Sequence, residues 1–267
     1  MRIVFLTVST NYHMPLVLRD IFPRLGGDEL RVVVSTKGDY WNPRRVLRRY
    51  GLKYTTWKAL ERITFASLVW RERRRGLKLG ERRFLRIFEV LEAAGIDPLV
   101  TPDIHAPECI HQIQDYRPDM LISAYFDQIL RPPLLHVSTR PPVNLHPSLL
   151  PAYAGSAPTF WVLANGEKQT GITIHEMTEN VDRGPILFQK IIPIEPDDTQ
   201  FSLYRRCTLS YLEPLLDIID ACRHGRKTSP APVPQNVTPS YYSKVTKADV
   251  ERFLARGRRF IGLSLPP

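Results

Sequence analysis

The 267 residues are 43% hydrophobic and 24% charged, which supplies a globular core and excludes a disordered, collagen-like or coiled-coil chain. The formal net charge is +10 and it is uneven: residues 44–86 hold 15 basic and 3 acidic side chains, 87–222 hold 8 and 18, and 223–267 hold 9 and 2. An acidic body carrying two basic segments informs on partners and solubility rather than on fold.

Residues 2–8 form an apolar, β-branched run that predicts a buried strand, and 15–25 carry a helical pattern. A second strand is predicted over 30–36. Residues 44–50 and 56–75 are helical in pattern, with Trp57, Leu60, Ile63, Phe65, Leu68, Val69 and Trp70 set among basic side chains. This basic stretch, about 44–86, interrupts the alternation and reads as a helical insertion. Helices over 82–94, closed by Gly95, and over 107–116 precede a strand at 119–125. A short strand at 141–146 leads to a helix over 157–164 closed by Asn165-Gly166. Segments 170–177 and 185–194 predict a last strand pair flanking a loop. Asp198 or Thr199 caps a long helix running to Arg223, closed by Gly225. Residues 226–240 contain four prolines and read as a linker or surface strap, and Thr246 caps a short helix over 247–256.

Strand–helix alternation at this spacing predicts an α/β fold: an open, mostly parallel twisted sheet with helices on both faces. The expected organisation is one catalytic domain over 1–225 and an extension over 226–267 that packs on it. Cys109, Cys207 and Cys222 are odd in number and widely spaced, which fits buried thiols in a reducing cytoplasm better than disulfides or a metal knuckle. The apolar run after Met1 turns polar at Thr7, too short for a signal-peptide core, and no apolar run reaches about 18 residues, so no integral membrane contact is expected.

Chemistry concentrates in the stretch NLHPSLLP, residues 144–151. Positions two apart on a strand point the same way, so Asn144 and His146 would project together from the carboxyl end of the sheet, where open α/β folds place their ligand crevice. A carboxamide beside an imidazole suits acyl-type transfer: the amide stabilises a developing oxyanion while the ring moves a proton. Asp182, in the loop ENVDRGP, could orient that ring and favour its protonated form. No clustered carboxylates, His or Cys at ligand spacing suggest a metal. Asp197 and Asp198 read as helix-capping residues. Gly-x-Ser-x-Gly, Walker-type and Gly-x-Gly-x-x-Gly signatures are absent from the sequence.

Residues 144–199, together with LISAYFDQIL at 121–130, resemble the formyltransferases that use 10-formyltetrahydrofolate. The resemblance is close over about 119–220, weaker over 1–36 and absent over 44–86. It implies a Rossmann-like formyltransferase fold and transfer of a formyl group to a primary amine. Asn144 would hold the formyl oxygen, His146 would assist proton transfer, and Asp182 would support His146. The resemblance places the pterin of 10-formyltetrahydrofolate against the backbone at Gln128, Ile129 and Leu130. It adds the loop starting Met177, Thr178 and Glu179. His175, Tyr12 and Tyr242 are further candidates for contact with the acceptor, and no metal is implied.

Three departures bear on that acceptor. The segment after the first strand, Thr7 to His13, lacks the glycines of a phosphate-binding loop, against a glycinamide ribonucleotide acceptor. SLLP continues as Ala152-Tyr153-Ala154-Gly155 where methionyl-tRNA formyltransferases usually carry Arg-x-Arg-Gly, and the tail is too short for their C-terminal barrel. The expected acceptor is therefore a small amine, such as a nucleotide-linked amino sugar, with charged initiator tRNA the alternative. A non-catalytic folate-fold or RNA-binding protein is a second alternative. For 44–86 three readings stand: a solvated helical pair, a surface for an anionic acceptor or tRNA, and a contact with an anionic membrane surface.

Overall fold

The computed structural model describes residues 1–38, 42–226 and 237–262. In chain order its elements are β1 (Arg2–Val8), α1 (Met14–Ile21), β2 (Glu29–Ser35), α2 (Pro43–Arg74), α3 (Ile87–Ala93), β3 (Leu99–Thr101), α4 (Pro107–Tyr116), β4 (Met120–Ala124) and β5 (Val143–His146). They continue as β6 (Ala154–Gly155), α5 (Pro158–Asn165), β7 (Gln169–Glu176), β8 (Ile186–Pro193), α6 (Gln200–Leu209), α7 (Leu212–Arg223), β9 (Tyr241–Tyr242) and α8 (Lys247–Ala255).

Seven strands form one sheet in the order β3-β2-β1-β4-β5-β7-β8. Pairings from β3 to β5 are parallel, and β7 and β8 join antiparallel at the other edge. The alternation within β1 explains why both faces are covered. Ile3 and Phe5 face one apolar cluster, filled by α1, α3, α5, α6 and α7; Val4 and Leu6 face a second, filled by Cys109 and Ile113 of α4 with Leu134 and Leu135. The strand order reverses direction between β1 and β4, which opens a crevice beside the carboxyl ends of β4 and β5.

Several expectations are corrected. The long helix expected to Arg223 is two helices, α6 and α7, broken at Ser210 and Tyr211. Pro214 explains the break: without an N–H and with its ring against the residue four back, it cannot lie inside one continuous helix. Helix 82–94 contracts to α3, because Phe84 and Leu85 bury from an extended segment and Glu89 accepts from the Arg86 N–H at 2.8 Å, starting the helix at Ile87. The two helices expected over 44–75 form one element, α2, interrupted only at Gly51, whose φ of +84° is left-handed. Strand β3 and the two-residue pair β6–β9 carry too few residues for a periodic signal. Most of the proline-rich 226–240 lies outside the described residues.

The described part of the tail is applied to the body. β9 pairs parallel with β6, and α8 places Phe253 in a ring cluster with Phe160 and Phe260, at centroid distances of 5.0 and 4.7 Å.

Candidate active site

Asn144 and His146 sit at the carboxyl end of β5, as their spacing requires, and the antiparallel register sets Asn144 opposite His175 of β7. Asp182 arrives from the β7–β8 loop with φ +54°, a left-handed conformation that an Asp tolerates better than most side chains. Gly184 lets that loop close: a Cβ there would lie 1.8 Å from the Glu176 carbonyl oxygen. The four side chains meet. Asn144 Nδ2 is 3.1 Å from His175 Nε2 and 3.5 Å from Asp182 Oδ1, while Asp182 Oδ2 is 3.5 Å from His146 Nδ1. His175 Nε2 is also 3.5 Å from Asp182 Oδ1.

Backbone carbonyls assign the imidazole protons, since a carbonyl can only accept. The Tyr153 oxygen lies 2.9 Å from His146 Nε2, which therefore carries the proton and leaves Nδ1 facing Asp182. The Glu176 oxygen lies 2.8 Å from His175 Nδ1, so His175 Nε2 accepts from Asn144. Burial is the largest influence on His146 and pulls it below its ordinary value, against the Asp182 carboxylate and the Tyr153 carbonyl. The site thus keeps His146 neutral near pH 7: Asp182 favours the protonated ring, as the sequence reading expected, but burial outweighs it. Burial pushes Asp182 up, but the neighbouring His175 and His146 rings and the Gly155 N–H prevail and hold it low.

Two groups of this site carry no signature of their own in the sequence. The Gly155 N–H donates to Asp182 Oδ2 at 2.7 Å, and the Tyr153 carbonyl holds His146. Both belong to the turn at 151–156, and the tail fastens that turn. Ser240 N–H donates to the Pro151 carbonyl at 3.1 Å, Ser240 Oγ accepts from Tyr153 N at 2.9 Å, and the Tyr242 carbonyl accepts from Ser156 N at 2.8 Å. Gly155 is obligatory here: its φ is +97°, and a Cβ would meet the Tyr242 carbonyl oxygen at 2.2 Å. The glycine in AYAGS was the one available clue. On the inner side Thr173 Oγ1 donates to the Ser148 carbonyl at 2.6 Å and accepts from Leu150 N at 3.2 Å, so NLHPSLLP is locked to β7.

The other predicted residues divide. Gln128 turns inward: its amide donates to Ser35 Oγ at 2.9 Å and its Oε1 accepts from Ile104 N at 3.1 Å, a brace between strand ends. Leu130 is in the second core cluster and Met177 packs against it. Ile129 projects to solvent with its carbonyl accepting from His105 Nε2 at 3.0 Å, and Thr178 and Glu179 are exposed. Tyr12 stacks on Phe65 at 4.2 Å. Tyr242 stacks between Tyr153 and Trp161, at 5.0 and 4.8 Å, with its hydroxyl accepting from Asn165 Nδ2 at 2.7 Å. Its place is beneath the turn that serves His146.

A model of the formyl transferase family matches residues 77–214. The methionyl-tRNA formyltransferase of Trichlorobacter lovleyi is 37% identical over 155 residues, 58% of this chain and 48% of that protein. The chain spans about half the length of the curated relatives it matches. Among solved structures, glycinamide ribonucleotide transformylase 1 from Symbiobacterium toebii superposes with TM-score 0.57 at 21% identity, covering 85% of this chain and 89% of that one. An N-formyltransferase from Helicobacter canadensis, in complex with folinic acid and dTDP-3-aminofucose, has TM-score 0.57 at 18% identity over 98% of this chain and 81% of that one. These structural likenesses establish the fold.

Proposed function

The chain belongs to the formyl transferase family, and from that premise we propose that it moves a formyl group from 10-formyltetrahydrofolate to the primary amine of a small acceptor, such as a nucleotide-linked amino sugar. The observation that carries this reading is the partly buried cluster of Asn144, His146, His175 and Asp182 at the carboxyl end of β5. The donor supplies an electrophilic formyl carbon whose oxygen gains charge as the amine adds.

Asn144 meets that oxygen with a carboxamide N–H. One N–H is committed to His175 Nε2, which fixes the rotation of the amide. The contact to Asp182 is long for a hydrogen bond, so the other N–H is available to a closer, charged acceptor. His146 enters neutral, takes up the proton released by the attacking amine as an ion pair with Asp182, and returns it to the donor nitrogen as the bond from that nitrogen to the formyl carbon breaks. His175 acts through Asn144 and Asp182 as a positioning residue. The amine attacks directly, so no side-chain nucleophile is required. On the donor side, Ile129 and the exposed Thr178 and Glu179 would flank the crevice, and main chain rather than the inward side chains of Gln128 and Leu130 would line the pterin.

A second reading, formylation of charged initiator tRNA, is favoured by the 37% identity to methionyl-tRNA formyltransferases and by the basic α2. One assay separates the two: the chain is given 10-formyltetrahydrofolate with charged initiator tRNA or with a panel of nucleotide-linked amino sugars. Turnover on an amino sugar supports the first reading and turnover on tRNA the second. Salt-sensitive tRNA binding with no transfer to any acceptor would leave a non-catalytic RNA-binding protein.

A further inference from the structure

Helix α2 inverts the pattern expected of a helix on the surface of a body. Its inner face is conventional: Phe65 and Val69 are buried against Phe84, and Tyr50, Tyr54 and Trp57 pack on the main core. Its outer ridge should then be charged. Instead, every exposed position between Lys53 and Arg71 is uncharged: Thr56, Leu60, Ile63, Ser67 and Trp70. Leu52 precedes them on the same ridge. Leu52 and Ile63 are each 66% exposed, Leu60 52% and Trp70 55%. Successive spacings of four or three residues put them in one line, about 27 Å long at the α-helical rise from Leu52 to Trp70.

Cations bound this line at both ends, with Arg44, Arg45 and Arg48 before it, Lys53 beside its first residue and Arg71, Arg73, Arg74 and Arg75 after it, all exposed. The Arg74 guanidinium stacks over the Trp70 ring at 4.8 Å, an aromatic and a cation presented together.

We propose that this ridge docks on an anionic lipid surface, with Leu52, Leu60, Ile63 and Trp70 entering the headgroup–acyl boundary and the flanking arginines meeting lipid phosphates. The chemistry selects this occupant. An aliphatic row between two cationic ends matches an interface that is apolar below and anionic above. Nucleic acid offers phosphates along its whole length, and Leu60 and Ile63 at the centre of the contact have nothing to pair with them. A two-fold contact with another copy would oppose two segments of 15 basic and 3 acidic residues each. The attachment lies on the membrane surface, since no helix among the described residues is long and apolar enough to cross.

The test is co-sedimentation of the full chain with phosphatidylcholine vesicles, with and without phosphatidylserine. Binding is expected only with phosphatidylserine, to fall in high salt, and to drop by roughly tenfold or more in Leu60→Glu and Ile63→Glu. Trp70 emission should shift to the blue on binding, and Trp70→Phe should remove that shift. All these positions are solvent-facing, and unchanged circular dichroism and Tm confirm an intact fold. Failure to bind phosphatidylserine vesicles, or binding that Ile63→Glu leaves unaltered, overturns the proposal. So does loss of tRNA binding, or of a concentration-dependent dimer, in Ile63→Glu without any vesicle binding.

Discussion

Around β5, polar side chains are drawn inside and each is held: His146 by Tyr153, His175 by Glu176 and Asn144, Asp182 by Gly155. Along α2 the arrangement is reversed, with leucine, isoleucine and tryptophan turned to solvent and the exposed cations gathered toward the ends. The first region falls within the matched span of the family, 77–214, and α2 ends just before it at Arg74. A buried polar cluster is costly unless fully satisfied, so it tolerates little change. An exposed apolar ridge costs the fold almost nothing, so it can be shaped by whatever it meets. Substitutions should therefore separate the two regions sharply.

The largest effect is expected at the cluster. Asn144→Ala or His146→Ala should lower the rate of formyl transfer by roughly 10²–10⁴-fold with the fold retained, as single-turnover kinetics would report. Turnover at the parental rate in either variant would remove the assigned roles. Next is the tail that fastens the site. Phe253 is fully buried between Phe160 and Phe260, and Phe253→Ala should cost about 3–5 kcal/mol in denaturant unfolding. A loss below about 1 kcal/mol would mean the tail is not fastened through α8.

Acid should act through buried histidines. Burial, with Arg205 and Lys58 adding to it, pulls His13 down to about 3, and both its ring nitrogens lack a hydrogen-bond partner. The unfolded chain takes up this proton near pH 6.5 and the folded chain does not, so stability is lost as pH falls below that value. The loss from His13 is about 2 kcal/mol between pH 7 and 5, and His146 acts in the same direction. His13→Phe, beside Phe201 at 4.5 Å, should flatten this slope in urea unfolding at the two pH values. Asp182, held below 3.8, retains its charge over this window and contributes only in stronger acid.

A smaller effect is expected at Tyr242→Phe, which removes the hydroxyl bonded to Asn165 and keeps the ring stack: about 1 kcal/mol of stability. Smallest is Ile63→Ser on α2, expected to change stability by less than about 0.5 kcal/mol and to leave transfer to a small amine unchanged. A large stability loss there would mean that the ridge is covered by the protein itself.

The sheet was legible in the sequence where strands are long or doubly buried, as in β1, β2, β4, β7 and β8, because continuous apolar runs admit few other placements. Asn144 and His146 were legible because two-residue spacing on a strand forces side chains to one side. Asp182 was offered by the loop ENVDRGP and by the resemblance of the motif, and its contacts place it beside both histidines. His175 could not be ranked from sequence, since its importance rests on the antiparallel register that sets it opposite Asn144. Tyr153 and Gly155 act through backbone atoms, which no residue type announces.

By itself, then, the sequence determined the alternation of strands and helices, the paired projection of Asn144 and His146, and the concentration of charge in 44–86. Tertiary structure alone decided which nitrogen of His146 is protonated, because that depends on the Tyr153 carbonyl that the turn at 151–156 brings back onto the ring. It also decided the orientation of α2. A helix with apolar residues on more than one face can bury only one of them, and packing of Phe65 and Val69 against Phe84 left Leu60, Ile63 and Trp70 outside.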